Sequence, residues 1–262
     1  MNKKGGNIAL AFLNLIFFIG VVVVNALANI LPINNKATGE LSDQYPNLFV
    51  PAGLTFSIWG LIYILLAIFI VYQIVMAFKS NHDGLFNQIG ILFILSSVFN
   101  MAWIFAWHYE IVWLSLIIMV LLLISLISIY TRLRVGKSSA SNAEKYMVHF
   151  PFSVYLGWIT IATIANVTAL LVDLGWNRFG LSEQFWAVLV IAVGIIITLA
   201  NLFSRNDIFY SLVVVWAFLG ILLKRLADTT VADLSVVITT IVGMAIIVIS
   251  IIIQLIRKKK VY

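Results

Sequence analysis

The chain has no cysteine, only four prolines and only three histidines among its 262 residues. The missing thiols exclude disulfides and thiol chemistry, and they leave the redox compartment undetermined. Charge is scarce as well: 10% of the residues are Asp, Glu, Lys or Arg, against roughly 25% in an ordinary soluble domain. Apolar residues fill the space, at 63% of the chain with a mean hydropathy of +1.11. Several uncharged runs exceed the roughly 18 residues that mark a bilayer-spanning helix. The chain reads as an all-α, polytopic integral membrane bundle.

Hydropathy places helices at about 8–30, 54–78, 86–107, 111–130, 149–172, 184–203, 208–223 and 236–256. That makes eight spans. The seventh, between Asp207 and Lys224, is the shortest, and Lys224 and Arg225 can lengthen it by reaching the headgroups. With the amino terminus in the cytoplasm, the inner segments hold Lys3, Lys4, Lys79, Arg132, Arg134, Lys137, Lys145, Arg205, Arg257, Lys258, Lys259 and Lys260. Only Lys36, Arg178, Lys224 and Arg225 fall outside. This positive-inside bias puts both termini in the cytoplasm, and an odd number of spans would reverse the Arg257 to Lys260 cluster. The net charge of +6 therefore reports topology first and attraction to anionic lipid second. The basic residues are dispersed over short loops, which argues against a nucleic-acid surface.

Lys3, Lys4, an apolar run and Ala26-Leu-Ala28 also resemble a cleavable signal peptide. The run from Ile8 to Ile30 is too long for a typical core of roughly 7–15 residues, so the expectation is a retained helix; cleavage would leave seven spans. Conventional enzyme chemistry finds little support. His82 and His149 fall on the inner side and His108 on the outer, so no three-histidine metal site assembles. His108 and Glu110 read as a solvated outer pair. No predicted span carries a charged residue in its centre, which leaves a proton relay without its usual carboxylates. No glycine-rich phosphate loop or 20–50-residue repeat is visible, although a weak four-plus-four inverted repeat would escape notice.

Three segments repeat one arrangement of aromatic and polar side chains. Phe56, Trp59 and Tyr63 fall at offsets 0, 3 and 7, as do Asn100, Trp103 and Trp107; Tyr155, Trp158 and Ala162 repeat the spacing and lead to Asn166. On a helix each set forms one stripe. Trp107, Trp113, Trp176 and Trp186 at outer boundaries and Tyr130, Tyr146 and Tyr210 at inner ones fit an aromatic belt. Trp59, Trp103, Trp158 and Trp216 lie inside spans, where an indole N–H needs a partner that lipid cannot supply. Helix direction brings the three stripes to the outer half. Asn100 and Asn166 there either bond neighbouring helices or face a cavity. The longest outer loop, about 31–53, carries Pro32, Pro46 and Pro51 and serves either as a lid or as a plain connector. The inner loop of about 131–148, with Gly136, Ser138, Ser139 and Ser141, reads as a flexible, solvated linker.

Phe49-Val-Pro51-Ala-Gly-Leu-Thr-Phe56-Ser-Ile-Trp59-Gly-Leu-Ile-Tyr63, Asn100-Met-Ala-Trp103 and Tyr155-Leu-Gly-Trp158-Ile-Thr-Ile-Ala162-Thr-Ile-Ala-Asn166 together resemble the TspO/MBR family of tryptophan-rich sensory proteins. The order of the motifs and the outer loop before the second helix agree with it. The second-helix motif of that family has two consecutive prolines and one more residue between its Phe and Trp. Here Pro51 matches the first proline, Ala52 replaces the second, and Val154 stands where a proline usually precedes Tyr155. Family members typically have five helices. The resemblance therefore implies a core over residues 1–176 and a C-terminal transmembrane extension over 177–262.

It also implies a pocket inside the core, closed by the loop with Pro46 and Pro51, for a tetrapyrrole such as protoporphyrin or haem, or for a sterol. The carried-over positions are Trp59, Asn100, Trp103, Trp158, Ala162 and Asn166, with Phe56, Tyr63 and Tyr155 completing the walls. No cofactor is required, and porphyrin or haem enters as ligand. The implied role is binding or sensing, with transport or breakdown of the ligand as extensions. The implied partners are the lipid bilayer and a hydrophobic small molecule, with a homodimer compatible and no nucleic acid; the location is a bacterial or archaeal plasma membrane. Two alternatives stay open: an uncoupled permease for a small neutral solute, and a structural subunit that packs against partner helices.

Overall fold

The computed structural model describes residues 3–30, 33–79, 83–227 and 234–259; Pro32, His82 and Lys260 fall outside them. Eight long helices account for most of the chain: α1 (Lys3–Ile30), α2 (Ile58–Phe78), α3 (Leu92–His108), α4 (Val112–Arg132), α5 (Phe150–Asp173), α6 (Glu183–Arg205), α7 (Ile208–Ala227) and α8 (Leu234–Lys259). Among the described residues seven helical stretches are long and apolar enough to cross a membrane, and α3 is a shorter apolar helix. The surface supports the same conclusion. Ile16, Ile64, Val71, Ile124, Ile196 and Ile249 are more than half exposed, an apolar exterior that water would not tolerate and lipid does. The protein is a polytopic helical membrane bundle.

Helix ends follow local chemistry. Ser182 caps α6 by accepting from Phe185 N at 3.2 Å, and Glu183 opens its first turn, where the helix dipole favours an anion. Asn206 then stops α6 in a left-handed conformation, φ 54°, and Asp207 caps α7 by accepting from Tyr210 N at 3.2 Å. The seventh helix consequently runs to Ala227 with Lys224 and Arg225 inside it, longer than the hydropathy run shows. The predicted third span corresponds to two helices, Asp83–Ile89 and α3. Gly90 separates them at φ +50°, its N–H closing on Phe86 O at 2.8 Å, the left-handed stop that glycine makes at low cost.

Helices α1 to α5 pack around one another, α1 against both α2 and α3, α4 between α3 and α5. Helices α6 to α8 form a second group, joined to the first chiefly by α7 against α5. Polar side chains buried in the hydrocarbon pair across these contacts. Asn14 Nδ2 donates to Gln73 Oε1 at 3.0 Å, linking α1 to α2, and neither residue has any exposed surface. Replacing Asn14 by Leu is expected to cost about 1 kcal/mol, because Gln73 loses its partner. N14L together with Q73L should recover nearly all of it, since two apolar partners strand nothing. Thermal unfolding in micelles of the single and double variants checks the cycle.

Two expectations change at the end away from the lid. The segment after Arg132 is not a solvated linker throughout: Leu133 and Val135 are buried, and Val148 lies in a wide helical turn, Lys145–His149, that leads into α5. Those apolar side chains fold it onto the bundle. Tyr130 and Tyr210 are buried rather than belted at the interface. The Tyr130 hydroxyl donates to Asp207 Oδ2 at 2.7 Å, and the Arg205 guanidinium lies 5.4 Å from its ring centre.

Candidate functional site

The stripes converge as their spacing predicts. The Phe56 stripe begins in a tight turn, Gly53–Ser57, and continues into α2; the others lie on α3 and α5. Trp59 is the hub. Its ring stacks on Tyr63 at 5.7 Å and meets Tyr155 at 6.0 Å and Trp158 at 6.3 Å edge to face, while Phe56 meets Trp158 at 5.9 Å. On α3, Trp103 and Trp107 stack at 5.8 Å with planes 14° apart. Between these groups lies a narrow cavity of about 50 Å³, walled by Phe56, Trp59, Trp103, Trp107, Trp158, Ala162 and Asn166. Tyr63 and Tyr155 stand behind Trp59 instead of lining it.

The two amides are engaged by protein. Asn100 Oδ1 accepts from Asn25 Nδ2 at 2.8 Å, and Asn100 Nδ2 donates to the Tyr155 hydroxyl at 3.0 Å. This chain joins α1, α3 and α5. Asn166 Oδ1 accepts from Trp103 Nε1 at 3.0 Å, and Asn166 Nδ2 donates to Ser115 Oγ at 3.0 Å. Both amides therefore hold helices together, and Asn166 also faces the cavity. Among the intramembrane indoles, Trp216 Nε1 donates to Thr55 O at 3.0 Å. Trp158 is buried without such a partner: it is 3% exposed, and its Nε1 finds no acceptor among the described residues.

Residues 33–53 form a folded cap over this end. A short helix, Thr38–Asp43, anchors it. His108, read from sequence as solvated beside Glu110, is fully buried: its Nδ1 lies 3.0 Å from Ile33 O and its Nε2 3.0 Å from Thr38 Oγ1. A carbonyl only accepts, so Nδ1 donates to Ile33 O, and in the neutral imidazole Nε2 accepts from the Thr38 hydroxyl. Glu110 pairs instead with Lys36. Trp107 leaves the expected belt for the site, buried against Tyr45 and donating to Thr38 O at 3.4 Å. Burial, followed by the nearby Glu110 and Asp173 carboxylates, pushes the Tyr45 hydroxyl above its usual range. Pro51 lines the tryptophan-walled cavity, and Pro46 lines a separate one beside it.

Helix α7 holds the cap from the other side. Ala52 N donates to Gly220 O at 2.9 Å, Lys224 pairs with Asp43, and Ala217 and Ile221 complete the cavity wall. A Cβ at Gly220 would collide with the Thr55 side chain, so only glycine permits this approach. Sequence reasoning missed these α7 residues because apolar side chains in an apolar helix carry no distinguishing signal. It also missed Asn25 and Ser115, which a search for polar partners in other spans would have found.

A sequence model of the family described as TSPO-like protein matches residues 11–253, from α1 into α8. The chain belongs to the TSPO-like protein family. The match runs through the three C-terminal helices of this TSPO-like protein as well as the first five. No curated protein and no solved structure matches it.

Proposed function

We propose that this TSPO-like protein binds a flat hydrophobic ligand of the porphyrin class in the tryptophan-lined cavity under the cap. The observation that carries the reading is Trp158 Nε1, a buried donor without an acceptor in the wall of an aromatic cavity. An unpaired buried donor is unfavourable, and a ligand acceptor at that atom relieves it. Indole faces of Trp59 and Trp103 suit a planar macrocycle. The cavity of about 50 Å³ is far below the roughly 300 Å³ at which ligand pockets begin. Binding therefore requires the cap to lift and the rings to separate. Residues Trp59, Trp103, Trp158, Ala162 and Asn166 would line the opened site, with Phe56 at its rim and Asn100 and Tyr155 bracing it from behind.

Titration of the purified protein with protoporphyrin should quench tryptophan fluorescence and shift the porphyrin absorbance band saturably. Replacing Trp59, Trp103 and Trp158 together by Phe is expected to weaken affinity about tenfold or more, and unchanged affinity in a folded triple variant rejects the site. The contribution of α7 to the wall also suits an uncoupled permease for a small neutral solute. Liposome flux that survives the triple replacement would favour that function.

A further inference from the structure

A second cavity, about 400 Å³, lies beside the first at the lid end, between the cap, the last turns of α5 and the first turns of α6. Phe49, only 1% exposed, stands in the wall of both. The larger cavity differs in chemistry. At its mouth Arg178 Nη1 and Glu183 Oε2 pair at 3.2 Å, with 46% and 37% of their side chains exposed, so each keeps free hydrogen-bonding positions. Two indole rings flank them, Trp176 and Trp186, 4.7 Å apart. Deeper, Leu171 of α5 and Val190 of α6 line an apolar slot that descends between two membrane-crossing helices.

The mouth is held in an unfavourable backbone. Arg178 and Phe179 sit at φ 59° and 53°, a left-handed conformation that non-glycine residues seldom adopt. Asn177 Oδ1 accepts from Phe179 N at 3.1 Å, and Trp186 Nε1 donates to Arg178 O at 2.9 Å, fixing the turn. Such strain persists only where the surroundings over-determine it, and it concentrates at binding sites. Its effect here is to hold one guanidinium beside one carboxylate and two ring faces, at the depth where headgroups lie.

We propose that this cavity binds a zwitterionic phospholipid from the leaflet at the lid end. The phosphate is taken by Arg178, whose planar donors match oxyanion geometry. The ammonium sits between the Glu183 carboxylate and the faces of Trp176 and Trp186, and one acyl chain enters the slot past Leu171 and Val190. A purely anionic head meets Glu183 unfavourably, and a purely cationic one meets Arg178. Charge complementarity thus selects a head carrying both signs. Because Phe49 separates the two cavities, the bound lipid also braces the cap.

Native mass spectrometry of the full chain in detergent, titrated separately with phosphatidylethanolamine and phosphatidylglycerol, tests the site. One phosphatidylethanolamine should stay bound at about a tenth of the concentration needed for phosphatidylglycerol, and it should raise the thermal midpoint. The R178Q/E183Q variant changes only partly exposed side chains, so it should fold and lose about tenfold in phosphatidylethanolamine retention. E183Q alone should shift the preference toward phosphatidylglycerol. Water-soluble glycerophosphoethanolamine, which has the head but no chains, should not bind at these concentrations. Equal retention of the two lipids by the unaltered protein, undiminished retention by R178Q/E183Q, or tight binding of the chainless head overturns the proposal. None of these measurements involves porphyrin, so their outcome is separate from that of the tryptophan-lined cavity.

Discussion

Replacing Gly220 by Val should unseat the cap and cost about 3 kcal/mol or more of stability. Over-packing a dense interior usually costs about 1–3 kcal/mol, and two further losses accompany it here. The new side chain collides with Thr55, whose backbone is already fixed by the Trp216 indole at 3.0 Å. Moving the two segments apart breaks the bond from Ala52 N to Gly220 O at 2.9 Å, and it separates Lys224 from Asp43. G220A should show the same effect at smaller size. Two measurements check it: the thermal midpoint in micelles, and the rate of tryptic cleavage at Lys36, a partly exposed residue of the cap whose cleavage should speed up when the cap lifts. A normal midpoint together with unchanged cleavage would show that α7 does not hold the cap.

The second large effect concerns Asn166. N166L removes the acceptor for Trp103 Nε1 and one partner of Ser115, leaving a buried indole donor unpaired. The expected cost is about 2 kcal/mol, within the range for stranding a buried polar group. Phe has no N–H, so W103F in the N166L background should cost little more, and the two changes should be strongly non-additive. Ser115 is less affected because its hydroxyl also donates to Val112 O at 2.8 Å. Additive losses in unfolding measurements would mean that packing, rather than the hydrogen bond, decides the contribution of both residues.

The helices and the meeting of the stripes were legible because a single rule governs each. Lipid forces uncharged runs into helices, and a 0-3-7 spacing forces side chains onto one face. Residues whose role depends on a distant partner were less so. His108 looked solvated beside Glu110 until the cap brought Ile33 and Thr38 onto its ring. Trp107 sits at a span boundary, which favours the belt, yet it belongs to the 0-3-7 stripe, and that periodicity was the better guide. Hydropathy averages over a window and so could not see that one glycine, Gly90, divides the third apolar run. Nor did composition distinguish Ala217 and Ile221 of α7 from any other apolar pair, although they finish the cavity.

That division at Gly90 bears on the membrane as much as on the protein. Helix α3 has 17 residues, which at 1.5 Å each rise about 25 Å, against a hydrocarbon layer of about 30 Å. Its partly exposed face, with Leu95, Val98 and Phe105, is therefore shorter than the lipid beside it. The bilayer should thin locally along that face while the other helices span it fully, so the molecule carries a lopsided hydrophobic mismatch. Reconstitution into lipids of increasing chain length should then strain one side of the bundle before the rest, and the protein should partition toward thinner membrane.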